Sequence, residues 1–145
     1  MIQVLRNAQV YAPQSLGLKD VFIAGSKIIG VVDAGCEFEL PDGVEVVEHD
    51  VLGRQLIPGL VDCHAHITGG GGEDGASTKV AAPLAETYFA AGVTSVVGLL
   101  GTDDITRSTE ELLAGVRALR EEGLSVWCWT GGYHYPLTTL TGSPR

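Results

Sequence analysis

The chain has 145 residues, a formal charge of −9 and 45% hydrophobic residues, with few aromatic ones. The negative charge excludes the basic surface that a phosphate backbone requires, so no nucleic acid partner is expected. The composition excludes disorder and favours a buried α/β core, but a (β/α)₈ barrel of about 250 residues does not fit in this length.

Residues 1–56 predict a β-rich element, either a small sheet or part of a sandwich. Two β-rich runs, Val21–Ile23 and Ile28–Val32, flank a short segment with glycine and serine, which predicts a hairpin. Further strands are predicted at Ile2–Leu5, Val44–Val47 and Val51–Leu56, with a turn at Pro41–Gly43.

From residue 57 onward, strand and helix patterns alternate. Strands are predicted at Leu60–Ile67, Val93–Leu100 and Leu124–Trp129. One helix is predicted from about Lys79 to Ala91, and a second begins with the capping-box pair Ser108 and Glu111 and ends at Gly123. This alternation predicts a parallel sheet, as at the start of a (β/α)₈ barrel or in an open doubly wound sheet.

The three cysteines, Cys36, Cys63 and Cys128, are odd in number and distant in sequence. Their apolar surroundings predict buried free thiols rather than a disulfide framework, and a reducing cytoplasm fits best. No basic segment with a long apolar run opens the chain, so no signal peptide is predicted. No run reaches the roughly 18 apolar residues of a membrane span, so no membrane partner is expected.

The strongest chemical signal is the trio Asp62, His64 and His66 within one predicted strand. Strand alternation places the three side chains on one face. Two imidazoles at this spacing can bind one zinc or other transition ion, and the carboxylate either ligates too or orients a histidine. The alternative is a histidine pair that only forms hydrogen bonds, but the preceding Pro58-Gly59 turn and the following glycine-rich loop favour a metal site.

The glycine-rich loop, Gly69–Gly72, is followed by Glu73 and Asp74. Its glycines permit close approach of the backbone to a ligand. The two carboxylates would repel phosphate, so a cationic group such as a substrate amine suits Glu73 better. The alternative is a flexible, solvated loop.

Two more loops follow predicted strands, Gly101–Asp103 and Gly131–Tyr135, and so share a rim with the histidines. A tyrosine there can donate a hydrogen bond to a developing oxyanion, although a tyrosine in a loop is more often a packing residue. For His134 we expect a structural role.

The segment Ile57–His66 resembles the opening signature of the amidohydrolase superfamily. Nearly the whole chain is similar, more specifically, to isoaspartyl (β-aspartyl) dipeptidases, through Gly69–Glu73, Ala91–Asp103 and Thr130–His134. The resemblance implies an α/β fold: an N-terminal β-sandwich element (1–56) and the first three β/α units of a TIM barrel (57–145). It also implies a zinc-dependent hydrolase of β-aspartyl dipeptides.

By position, the resemblance also implies a role for individual residues. His64 and His66 correspond to ligands of a binuclear zinc centre. Tyr133 corresponds to the catalytic tyrosine that polarises the scissile carbonyl. The substrate-binding residues implied are Gly71, Gly72, Glu73, Thr102 and Tyr133, with Glu73 holding the free α-amino group.

The remaining catalytic groups of such enzymes, including a bridging lysine, two further histidines and a late aspartate, come from later strands than the chain contains. We therefore expect this chain to be the N-terminal part of an enzyme that is a homo-oligomer when complete, and to bind metal weakly with little or no activity by itself. Two alternatives stay open. One is an amidohydrolase for cyclic amides, of the dihydroorotase or hydantoinase type, and the other is a non-catalytic fragment.

Overall fold

The computed structural model describes residues 1–36, 39 and 43–143. It divides the chain into two compact units, Met1–Pro58 and a unit that begins at Gly59. The boundary expected from the sequence falls after residue 56. Pro41 and Asp42 of the expected turn lie outside the described residues.

The first unit is a mixed sheet. Its strands are β1 (Ile2–Tyr11), β2 (Ser15–Ala24), β3 (Lys27–Asp33), β4 (Val46–Asp50) and β5 (Gln55–Leu56). They lie in the order β3-β2-β1-β4, with β5 also pairing with β1, and β4 and β5 run parallel to β1. The predicted hairpin is confirmed as the antiparallel pair β2 and β3. Within the described residues the unit is one sheet, so they do not include a second layer of the expected sandwich.

The predicted strand over Val51–Leu56 is too long. Leu52 and Gly53 have φ angles of 55° and 74°, which turn the chain out of the extended conformation. Only Gln55 and Leu56 pair with β1.

A buried carboxylate organises the first unit. The Asp20 side chain is 1% exposed and accepts hydrogen bonds from Arg6 Nη1 at 2.8 Å, from the Asn7 amide at 2.9 Å and from the Gly35 amide at 3.1 Å. Burial acts to raise the pKa of Asp20, but these donors outweigh it and the pKa lies below the usual value. Asp20 therefore ties two strands and the turn after β3 together through its charged form.

The second unit alternates strands and helices as predicted. Its elements are β6 (Leu60–Ala65), β7 (Gly70–Gly71), β8 (Lys79–Val80), α1 (Ala85–Ala90), β9 (Val93–Gly98), α2 (Thr109–Glu121) and β10 (Ser125–Cys128). The main sheet has the order β10-β9-β6, and its strands are parallel. No helix in the described part of the chain is long and apolar enough to span a membrane.

The two helices differ in how well the sequence located them. The Ser108 hydroxyl accepts a hydrogen bond from the Glu111 amide at 3.1 Å, so the predicted cap of α2 is confirmed. The predicted start of the first helix at Lys79 is wrong, because Lys79 pairs in β8 instead. Pro83 disfavours a helical conformation at Ala82, so α1 begins only after it.

Helices cover one face of the parallel sheet. The core there contains Val96 of β9 and Val126 of β10, both fully buried, with Leu112 and Val116 of α2. On β10, Val126 is buried while the next residue, Trp127, is more than half exposed, because successive side chains point to opposite faces of the sheet.

All three cysteines are free, as predicted, but the prediction that they are buried is wrong for Cys36 and Cys63, which are exposed. Cys36 follows the turn after β3, and Cys63 lies on β6 at an edge of the sheet, so neither is covered on both sides.

Candidate metal and substrate site

The two histidines of the predicted metal pair lie side by side. His64 is in β6 and His66 follows directly after it. Their ring centroids are 5.6 Å apart and the ring planes are at 80°. Two imidazole nitrogens about 2.1 Å from one tetrahedral zinc ion place the ring centroids roughly 5 Å apart. The observed spacing fits a shared ion.

A β-bulge interrupts β6 between Asp62 and Ala65, so His64 lies within it. Asp62 pairs with Val96 and Ala65 pairs with Gly98, so three residue steps on β6 lie opposite two steps on β9. Because Val96 and Gly98 are on the same face of β9, Asp62 and Ala65 lie on one face too. The prediction that Asp62 shares a face with the histidines is therefore wrong, because the bulge shifts the alternation. Asp62 Oδ1 instead accepts a hydrogen bond from the His64 amide at 3.0 Å and fixes the bulged backbone.

The His66 ring is closely surrounded. A Cβ atom at Gly101 would lie 2.4 Å from His66 Cε1, and Gly101 has a φ of 74°, so only glycine fits there. His66 Nδ1 is buried and has no hydrogen-bond partner among the described residues. A buried polar atom of this kind calls for a ligand or a water. The His66 ring therefore keeps an unpaired nitrogen, which suits a metal ligand.

The pair does not complete a metal centre. In the described ranges, no group of three or more His, Cys, Asp or Glu side chains is placed to hold an ion. Two imidazoles leave at least two positions of a tetrahedral ion to other ligands. Any metal held here therefore needs water or further protein groups.

The glycine-rich segment is more ordered than a solvated loop. Gly70 and Gly71 pair with Val80 and Lys79 as the antiparallel strands β7 and β8, which we call the glycine hairpin (residues 69–80). A Cβ atom at Gly70 would lie 3.3 Å from the His66 ring, so the hairpin passes beside that histidine.

Glu73 projects from this hairpin and contacts the next loop. Its Oε1 accepts a hydrogen bond from the Thr102 hydroxyl at 2.8 Å. The backbone amide of Glu73, the Thr102 hydroxyl and the electrostatic influence of the nearby His66, in that order, lower the pKa of Glu73 below its usual value. The structure thus brings together three of the predicted residues, with an ionised carboxylate suited to an ammonium group.

An open cavity of about 340 Å³ lies beside Glu73, which is room for a small ligand. It is lined by Gly72, Glu73, Ala76, Lys79, Thr102, Asp103, Ile105 and Thr106.

Tyr133 lies in the loop after β10, with 77% of its surface exposed. Its neighbour His134 pairs through Nδ1 with Asp104, whose carboxylate is 1% exposed and also accepts from the His134 amide at 3.2 Å. Burial acts to raise the pKa of Asp104, but the two His134 hydrogen bonds outweigh it and the pKa is lowered. This pairing supports the structural role expected for His134.

Sequence reasoning missed two contributors to this region, Arg107 and Lys79. Both contact Asp103, and Arg107 also reaches the glycine hairpin. The position of Arg107 directly before the cap of α2, after a strand end, was the available signal.

Comparisons with known proteins found similar solved structures and similar curated proteins, and no protein-family model matches the chain. The β-aspartyl dipeptidase of Fervidobacterium islandicum AW-1 is 44% identical, with a TM-score of 0.92 over 99% of this chain and 38% of that one. Its complex with the β-Asp-Leu dipeptide is 43% identical, with a TM-score of 0.87 over 99% and 37%. A curated imidazolonepropionase of Acidiphilium cryptum is 33% identical over 80% of this chain and 28% of that protein. The chain thus spans well under half the length of these relatives.

Proposed function

We propose that the chain carries the metal-binding and amine-binding parts of a β-aspartyl dipeptide hydrolase. The reason is that it resembles the β-aspartyl dipeptidases of the amidohydrolase superfamily over 99% of its length. That resemblance, predicted from the sequence, is confirmed by the comparisons. The observation that carries the proposal is the match at 44% identity, supported by the nearness of His66 to an ionised Glu73.

In this mechanism His64 and His66 would hold a divalent ion, zinc by their donor type, which supplies an activated water and polarises the scissile carbonyl. Glu73 binds the free α-ammonium group of the substrate, and Thr102 orients the Glu73 carboxylate through their hydrogen bond. Tyr133 donates a hydrogen bond to the carbonyl oxygen as negative charge develops there.

The proposal extends to the fold. In this proposal, the start of a TIM barrel, its first three β/α units, consists of the parallel strands β6, β9 and β10 with α1 and α2. The N-terminal unit, Met1–Pro58, is part of a β-sandwich. In such a barrel the histidines lie at the carboxyl end of a strand, and Glu73 and Tyr133 lie in loops that follow strand ends, where active sites lie. The same proposal includes three further points: the protein is cytoplasmic, the metal is zinc, and the chain by itself has low activity.

A second candidate follows from the imidazolonepropionase relatives. An imidazolone is a cyclic amide. This candidate therefore corresponds to the alternative expected from the sequence, an amidohydrolase of the dihydroorotase or hydantoinase type. Such a substrate has no free α-amine next to the scissile bond, and an ionised Glu73 would then have no cationic partner. The two candidates therefore differ in what Glu73 binds.

A chimera separates these candidates. This chain replaces the matching segment of the Fervidobacterium enzyme, and the product is loaded with zinc. We expect hydrolysis of β-Asp-Leu, no hydrolysis of imidazolonepropionate or of a hydantoin, and loss of activity in His64→Ala. A folded, zinc-loaded chimera that hydrolyses only the cyclic amides, or no substrate at all, would overturn the proposal.

The chain by itself provides the matching control for the non-catalytic alternative. We expect weak zinc binding and turnover of β-Asp-Leu at or near the background rate. Efficient turnover by the isolated chain would show that its residues suffice and that the expected need for further groups is wrong.

A further inference from the structure

A largely buried arginine, Arg107, connects the loop between β9 and α2 with the glycine hairpin. The Arg107 side chain is 10% exposed. Its Nε donates to the Thr68 carbonyl at 3.1 Å, and its Nη2 donates to the carbonyls of Gly70 at 3.5 Å and Val80 at 3.3 Å. One guanidinium group therefore contacts both strands of the hairpin.

Asp103 braces this contact from the same loop. Its Oδ2 lies 3.6 Å from Arg107 Nη1 and 2.5 Å from Lys79 Nζ, and its Oδ1 accepts from the Thr106 amide at 2.9 Å. Lys79 belongs to β8, so Asp103 holds the hairpin strand that follows Glu73. The β9–α2 loop is thus joined to the hairpin at two places.

The fit between Arg107 and the hairpin is close. A Cβ atom at Gly69 would lie 2.3 Å from the Val80 carbonyl oxygen and 2.8 Å from Arg107 Nη2. Position 69 therefore has no room for a side chain, and the Gly70 and Val80 carbonyls tie the hairpin to Arg107. This fixed position places Gly70 against the His66 ring and Glu73 within reach of Thr102.

We propose that Arg107, braced by Asp103, is a positioning residue that holds the glycine hairpin so that Glu73 stays beside Thr102 to receive the substrate amine. The amine-binding part rests on the proposed function, whereas the positioning of the hairpin does not. Arginine is required because its planar group offers several donors at fixed angles, whereas lysine offers one compact ammonium.

The test uses the full chain without metal or substrate, in three variants: Arg107→Ala, Arg107→Lys and Arg117→Ala. Arg117 is exposed on α2 and serves as the matched control. Hydrogen exchange measures the amides of residues 70–73 against those of β9, and nuclear Overhauser contacts report whether the Thr102 methyl group still lies beside Glu73.

For Arg107→Ala we expect exchange in residues 70–73 to rise about tenfold or more, because hydrogen bonds from a charged donor are lost. The Thr102–Glu73 contact is lost while exchange in β9 is unchanged. Arg107→Lys gives an intermediate result, and it decides the question if the alanine variant does not fold. Unchanged exchange in residues 70–73, or an equal rise throughout the chain, would overturn the proposal.

The chimera with the Fervidobacterium enzyme separates a failure of this inference from a failure of the proposed function. We expect Arg107→Ala to raise KM for β-Asp-Leu several-fold with a small effect on kcat. If Glu73→Gln leaves KM unchanged while Arg107→Ala still loosens the hairpin, the positioning role stands and the amine-binding role of Glu73 is wrong.

Discussion

The Thr102 hydroxyl donates a hydrogen bond to Glu73 Oε1 at 2.8 Å, joining two loops that are distant in sequence. The backbone amide of Glu73, this contact and the electrostatic influence of His66 together lower the pKa of Glu73. Through Thr102, the β9–α2 loop therefore influences the charge and the position of the Glu73 carboxylate.

Replacing Thr102 with valine removes this donor while keeping the shape of the side chain. We expect the pKa of Glu73, followed by carboxyl ¹³C resonances, to move up toward its ordinary value. In the chimera, KM for β-Asp-Leu should rise about three- to tenfold, as for the loss of one hydrogen bond. Thr102→Ser keeps the hydroxyl and is the control. An unchanged pKa in the valine variant would show that the contact does not influence Glu73.

Replacing either His64 or His66 with alanine tests the shared ion. We expect the zinc affinity of the full chain, measured by competition with a chromogenic chelator, to fall about tenfold or more, because one imidazole cannot replace two. His49→Ala, at an exposed position of β4, is the matched control. Equal affinities for all three variants and the unmodified chain would place the zinc elsewhere.

Replacing Gly101 with alanine tests the packing of the His66 ring. The added Cβ atom would lie 2.4 Å from His66 Cε1, so the ring must move and zinc affinity should fall. Gly142→Ala is the control, because Gly142 has a nearly equal φ of 73° but no atom within 4 Å of an added Cβ. Both variants carry a backbone cost of about 1 kcal/mol. If zinc affinity falls equally in both, backbone strain rather than crowding is the cause.

Asp20 makes the stability of the first unit depend on pH. The pKa of Asp20 is lowered in the folded state. Its contribution to stability is therefore complete above the unfolded pKa, near the ordinary aspartate value of 3.8, and is lost as pH falls through the folded pKa. We expect Asp20→Asn to lower the free energy of unfolding at pH 7 by about 2–4 kcal/mol and to flatten its acid dependence.

Denaturant titrations at pH 7 and at pH 3 check this prediction. Asp33→Asn is the control, since Asp33 pairs with Lys19 at an exposed position and should change stability little. An acid dependence in Asp20→Asn equal to that of the unmodified chain would assign the effect to other carboxylates.

The sequence by itself determined the features that depend on local chemistry. Turn residues predicted the hairpin of β2 and β3, and the capping box predicted the Ser108 cap. The alternation of strand and helix patterns predicted the parallel sheet. The sequence also predicted that the two histidines lie side by side, as they do, although it did not show the bulge that includes His64. Pro83 carried a local signal for the later start of α1 that the helical spacing of its neighbours obscured.

Only the tertiary structure decided which groups meet across the chain. The bulge that separates Asp62 from the histidine face depends on how β6 pairs with β9. The hydrogen bond from Thr102 to Glu73 and the contacts of Arg107 with Gly70 and Val80 join segments that are far apart in sequence. Such contacts are set by strand register and by the direction in which a loop leaves the sheet, and a local residue pattern specifies neither.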